Sequence, residues 1–143
     1  MPYHFEFDST NSILQGRFEG FVNEQEVRKY YEAAVEHVAR LSPRSYILDV
    51  SAVTSTTISS DFIRAFAKLP PILPEPQRPR FIVASSDLAF GWMRVYEMEG
   101  DATRPNLHVV RKHAEAWAIL GIRKPRFDPL PDHEDIDASG SNS

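Results

Sequence analysis

The 143-residue sequence predicts an α/β domain in the order β-β-α-β-α-β-α-β-α, with a mixed, mostly parallel sheet, an N-terminal hairpin and four helices. Three observations lead there. Residues 3–8 alternate apolar and polar side chains, the period of a half-buried strand. Residues 24–41 carry apolar side chains at helical spacing. Short apolar runs at 46–50, 81–84 and 107–110 each precede a helical segment, the alternation that produces parallel pairs with crossover helices.

Taken in order, Tyr3, Phe5 and Phe7 share one face of the first strand and His4 and Glu6 the other. Ser9-Thr10-Asn11-Ser12 is turn chemistry, residues 13–18 return as the second strand of a hairpin, and Gly20 closes it. Asn23, with Glu26 three residues on, forms a capping box for the first helix at 24–41. Its apolar stripe reads Val27, Tyr31, Ala34, Val35, Val38 and Leu41, with Arg28, Lys29, Glu32 and Glu36 largely off it, and Ser42-Pro43 ends it. The third strand, 46–50, runs into a hydroxyl-rich stretch, 51–60, expected to be a loop. A second helix is expected at 61–69 with Phe62, Ile63 and Phe66 inward, stopped by Pro70-Pro71. The proline-rich 70–79 segment reads as extended and stiff. Asp87 is expected to cap a third helix at about 88–97, and Gly121 to end a fourth at 113–120. Residues 1–122 then form the domain, and 123–143 a tail whose end, 138–143, has nothing to bury.

An apolar share of 42% is enough to build one core without staples. A formal net charge of −4 argues against a nucleic-acid surface, which needs clustered Lys and Arg. There are no cysteines, so disulfides and thiolate metal sites are excluded. The polar start shows no secretory signal, and no apolar run approaches the roughly 20 residues of a membrane span. The expectation is a soluble cytoplasmic protein.

Three stretches could carry function. Residues 55–61 place Ser55, Thr56, Thr57, Ser59, Ser60 and Asp61 ahead of a helix, where a phosphate on Ser59 or Ser60 would meet free N–H groups; the same serines equally serve as N-caps. Phe90, Trp92, Met93, Arg94 and Tyr96 with Phe66 are candidates to line a pocket for an apolar or anionic ligand, or simply to fill the core. Pro74-Glu75-Pro76 is preformed for docking by a partner, or is only a connector. The five histidines (His4, His37, His108, His113 and His133) show no metal-ligand spacing. His108 and His113 flank one turn and read as surface residues. No G-x-S-x-G, H-E-x-x-H, Walker A or G-x-G-x-x-G pattern is present, so no enzyme, cofactor or metal is expected. Asp49 with Ser51 could be catalytic, but an Asp at a strand end more often caps nearby N–H groups.

The element order, together with Ile47-Leu48-Asp49-Val50-Ser51, Phe90-Gly91-Trp92-Met93-Arg94 and Glu115-Ala116-Trp117-Ala118-Ile119-Leu120-Gly121, resembles the STAS fold of anti-sigma-factor antagonists. More closely it resembles the small bacterial STAS-like proteins grouped with the sporulation (SpoIIAA-like) antagonists, over residues 3–121. In the antagonists an Asp-Ser-Ser-Gly-type run carries a serine phosphorylated by a partner kinase that is also the anti-sigma factor. The resemblance puts Ser59 at the phosphoacceptor with Ser60 next, given one extra loop residue, and places Ile58 at the family's acid and Asp61 at its glycine. Without the extra residue, Ile58 takes the acceptor position and Thr57 the acid's. It implies a non-enzymatic interaction domain with an anti-sigma-factor-like or kinase-like protein partner, switched by phosphorylation. The alternative is a lipid-carrier-like module for a small apolar or anionic ligand. An exposed edge of the N-terminal hairpin is a candidate to pair two chains into a homodimer.

Overall fold

The computed structural model describes residues 2–99 and 106–131. The elements are β1 (Tyr3–Asp8), β2 (Ile13–Val22), α1 (Glu24–Leu41), β3 (Ser45–Thr56), α2 (Ser60–Phe66), β4 (Arg80–Val83), α3 (Asp87–Glu99), β5 (Leu107–Val110), α4 (His113–Leu120) and β6 (Asp128–Pro129). They build one six-stranded sheet in the order β5-β4-β3-β2-β1-β6. The β2–β3, β3–β4 and β4–β5 pairs are parallel; β1 pairs antiparallel with β2 and with β6. No helix among the described residues is long and apolar enough to cross a membrane. His133 and the tail at 138–143 lie outside the described residues.

Strand periodicity divides the sheet into two faces. On the front, Phe5, Leu14, Phe18, Tyr46, Val50 and Ile82 pack with α1 and α3. On the back, Ile13, Ile47, Phe81, Val83 and Val110 pack with Ala116 and Trp117 of α4. Beneath β1 and β2 the back carries polar side chains instead, from Glu6, Gln15 and Arg17.

Helix α1 occupies the predicted residues, and both halves of its capping box form: Glu26 N–H donates to Asn23 Oδ1 at 2.9 Å and Asn23 N–H to Glu26 Oε1 at 3.1 Å. Of the predicted stripe, Ala34 and Val38 are buried, Val27 and Leu41 pack partly buried on the core and Val35 is exposed, so the inward face is rotated toward Tyr30, Ala33 and His37. The cause is Gly16, at the centre of β2. The Tyr30 ring lies over it, so close that a Cβ there would stand 1.8 Å from the Tyr30 hydroxyl oxygen. A notch in the strand thus sets the rotation of the helix.

Four further expectations are corrected. Residues 51–56 are not loop: β3 continues to Thr56 beside β2, through register shifts, because β-branched Val53, Thr54 and Thr56 suit a strand. The second helix ends at Phe66, and the third is capped by Ser86, whose Oγ accepts from Ala89 N–H at 3.1 Å; Asp87 instead meets Arg111 at 2.6 Å. The proline-rich segment is not a straight connector. It wraps the Arg80 guanidinium, which donates to the carbonyls of Leu73 (2.5 Å), Glu75 (2.5 Å) and Arg78 (3.0 Å). The β1 edge is partly occupied: β6 pairs with Glu6 and Phe7, and Leu130 N–H donates to Phe5 O at 2.9 Å.

Candidate functional site

The front of the sheet is not fully filled. Between β3–β4 and the α2–α3 layer lies a cavity of about 660 Å3, inside the range of small-molecule sites. Leu48, Val50 and Ile82 form its sheet wall, Phe66 of α2 with Trp92 and Met93 of α3 its cover, and Ser55, Ser86 and Leu88 its exposed rim. The cover is light. None of α3's residues is fully buried although its inward side is apolar, because it spans open space rather than packed core. It is held to α2 by the Phe66 and Tyr96 rings, 6.4 Å apart, and by Arg64 and Glu99 at 3.7 Å.

Of the pocket candidates, Phe66, Trp92, Met93 and Tyr96 line the cavity, while Phe90 and Arg94 lie outside its lining. Phe90 packs its ring beneath the Arg111 guanidinium, 4.2 Å away, and Arg94 pairs with Glu97 at 3.0 Å on the outer side of α3.

Tyr30 and Tyr46 were not singled out from the sequence. Both line the cavity wall and hydrogen-bond hydroxyl to hydroxyl. Burial pushes the pKa of both phenols well above the usual range, so both stay protonated. Arg80 also lines the cavity, 3% exposed, with its donors directed to backbone carbonyls.

The hydroxyl stretch sits on the rim. Ser55, Thr57, Ser59, Ser60 and Asp61 are exposed, and Thr56 is half-buried with its hydroxyl donating to Val22 O at 2.6 Å. Ser59 is the N-cap of α2, accepting from Phe62 N–H at 3.1 Å. Asp61 lies 3.5 Å from Arg64. The capping reading of Ser59 therefore holds in the structure.

A second polar cluster lies on the back. Asp49 Oδ1 accepts from Ser51 N–H at 2.9 Å, the local cap expected of it. Asp49 Oδ2 stands 3.5 Å from Arg17 and 3.5 Å from His113 Nε2. His113 Nε2 is 2.8 Å from Gln15 Oε1, whose amide donates to Glu6 at 2.5 Å. His113 is thus not a plain surface residue; no spacing signal links it to Asp49 or Gln15, which only the sheet brings near. Burial, the largest influence, lowers its pKa; Asp49 and Glu6 oppose this and Arg17 adds to it. Above about pH 6.5 the ring is neutral folded and unfolded. Below it the unfolded chain takes up the proton first, so stability falls as pH drops below about 6.5. Thermal melts should show this fall in the wild type and a flatter profile in His113→Gln; equal slopes would contradict it. Among the described residues no cluster of three His, Cys, Asp or Glu could hold a metal ion.

No family model and no curated protein matches the sequence. Solved structures do. The anti-sigma factor antagonist SpoIIAA in its unphosphorylated form is 10% identical and superposes with a TM-score of 0.57, over 85% of this chain and 99% of that one. An anti-sigma factor antagonist from Mycobacterium paratuberculosis is 16% identical with a TM-score of 0.55, over 83% and 94%. At that identity the likeness is one of fold, and it agrees with the six-stranded mixed sheet and four helices described above. The chain has a STAS-like α/β fold, the fold of the anti-sigma factor antagonists.

Proposed function

We propose that the protein acts by binding rather than by catalysis, as a STAS-like domain that holds an apolar small molecule between its sheet and the α2–α3 cover. The observation that carries this reading is the cavity of about 660 Å3 with its apolar walls. A dry, closed core would be the more stable arrangement for a domain that only docks against proteins, since unfilled apolar volume forgoes packing contacts. Trp92 lines the cavity, and the other tryptophan, Trp117, packs on the back beside His113. In a Trp117→Phe variant the remaining indole reports on the site. Nile red, a neutral apolar dye, should bind saturably at one per chain and quench Trp92. Absence of saturable binding would contradict the reading.

A second reading has its own support: the fold is shared with anti-sigma factor antagonists, and the exposed hydroxyl segment offers a contact surface. In it Ser55, Thr56, Thr57 and Asp61 touch an anti-sigma-factor-like or kinase-like protein, and Ser59 or Ser60 is the phosphoacceptor. A phosphate on Ser59 would add about −1.5 to −2 charges beside Asp61 and displace the serine from its cap. The two readings are compatible, because the segment forms part of the cavity's rim.

A further inference from the structure

The chemistry of the cavity wall narrows the ligand. Among the described residues lining the cavity Arg80 is the one charged side chain, and its guanidinium already serves the carbonyls of Leu73, Glu75 and Arg78. A carboxylate or phosphate brought into the interior would have no cation free to meet it, and an unpaired buried anion is strongly disfavoured. The fully buried polar feature of the wall is the Tyr30–Tyr46 pair, 2% and 7% exposed, with the half-buried Tyr96 also among the lining residues. Each phenol carries one O–H donor. The bond between them uses one of the two, and among the described residues neither hydroxyl has another hydrogen-bond partner. One donor is therefore left over in an apolar wall, where an unmet donor is unfavourable.

From this arrangement the geometry points to an uncharged lipophilic ligand with an oxygen acceptor, such as an ester or ketone carbonyl on a long aliphatic chain, whose oxygen takes the spare Tyr30–Tyr46 donor. The inference rests on the ligand-binding reading above and deepens it. The ligand enters oxygen first: the hydroxyl pair is in the buried wall, whereas Ser55, Ser86 and Leu88 are at the exposed rim. Tyr30 is held for the task by its cage. Its ring stacks on Phe5 at 4.9 Å and leans on Phe18 at 4.6 Å and Tyr3 at 5.6 Å, while Gly16 leaves room for the hydroxyl. A single Tyr→Phe change would still leave one donor, so both hydroxyls must go to remove the anchor.

The test displaces Nile red with methyl palmitate and with palmitate, two probes with the same chain and different charge, at pH 8. The wild type should bind methyl palmitate at least tenfold more tightly than palmitate. A Tyr30→Phe/Tyr46→Phe variant should keep Nile red binding and lose about three- to tenfold in methyl palmitate affinity, as the loss of one buried hydrogen bond predicts. Equal displacement by the ester in wild type and variant, with Nile red still bound, would overturn the anchor and leave the cavity reading standing. Failure of Nile red to bind the wild type would overturn the cavity reading itself. If the double variant does not fold, the wild-type comparison decides: palmitate binding as tightly as its methyl ester would overturn the inference.

Discussion

Replacing Gly16 with alanine is expected to destabilise the protein by about 3–5 kcal/mol, through overpacking together with a lost buried hydrogen bond. The new methyl would stand 1.8 Å from the Tyr30 hydroxyl oxygen and within 2.7 Å of two of its ring carbons. A tyrosine tip can often swing aside, but this ring is caged by Tyr3, Phe5 and Phe18, and its hydroxyl is bonded to Tyr46. Either Tyr30 leaves its cage or α1 lifts from the sheet. Thermal melts should show a fall on the order of 10 °C or more. Because the clash is between two named residues, it should be strongly non-additive: adding Tyr30→Leu to Gly16→Ala should destabilise far less than the sum of the two single changes. A Gly16→Ala protein that melts within about 2 °C of the wild type would show that Tyr30 does not lie over Gly16 as described.

The second large effect is expected at Arg80. Its guanidinium donates to carbonyls of Leu73, Glu75 and Arg78, so one side chain closes the whole 70–79 segment. Arg80→Met keeps the apolar stem and removes every donor, leaving carbonyls facing a wall with nothing to meet them. At about 1.5–3 kcal/mol for a hydrogen bond to a charged group, the expected loss is about 3–5 kcal/mol. That is a large fraction of the roughly 5–15 kcal/mol that holds a domain folded. Arg80→Lys should recover only part of the loss, because an ammonium is a point charge and cannot span carbonyls placed around a planar fork. Urea unfolding would measure both variants. A midpoint for Arg80→Met equal to the wild type's would contradict this role. Leu73, 1% exposed, also lines the cavity, so the same variant should loosen ligand binding where it remains folded.

What the sequence disclosed followed the range over which each signal acts. The bounds of α1 and α4 were legible because caps and periodicity are local: Asn23 and Glu26 mark one start, and Gly121, with a left-handed φ of 68°, marks one end. The order of elements along the chain and the fold class were legible because alternating strands and helices leave few topologies. The face of α1 was legible only in part, since its rotation toward Tyr30 is decided by Gly16 in another element. The end of β3 was obscured by composition: Ser and Thr suggested a loop, whereas pairing with β2 carries them in a strand. Two-residue β6 includes a proline and had no signal of its own. Within the candidate site, Phe66, Trp92 and Met93 were legible as an apolar group near one helix pair. Tyr30, Tyr46 and Arg80 were not, because single buried polar groups gain meaning only from what the sheet places opposite them. The same holds for His113 and Asp49, far apart in the chain and 3.5 Å apart in the fold.

The central claim is that the cavity under α2 and α3 is occupied in the working protein. The most direct measurement is the intact mass of the chain purified from its own host, recorded under native and then under denaturing conditions. The account predicts a non-covalent adduct, one small apolar molecule per chain, that is present in the native spectrum and gone after denaturation. A mass increase that survives denaturation and equals one phosphoryl group on Ser59 or Ser60 would support the switch reading in addition. A bare chain in the native spectrum would contradict the claim.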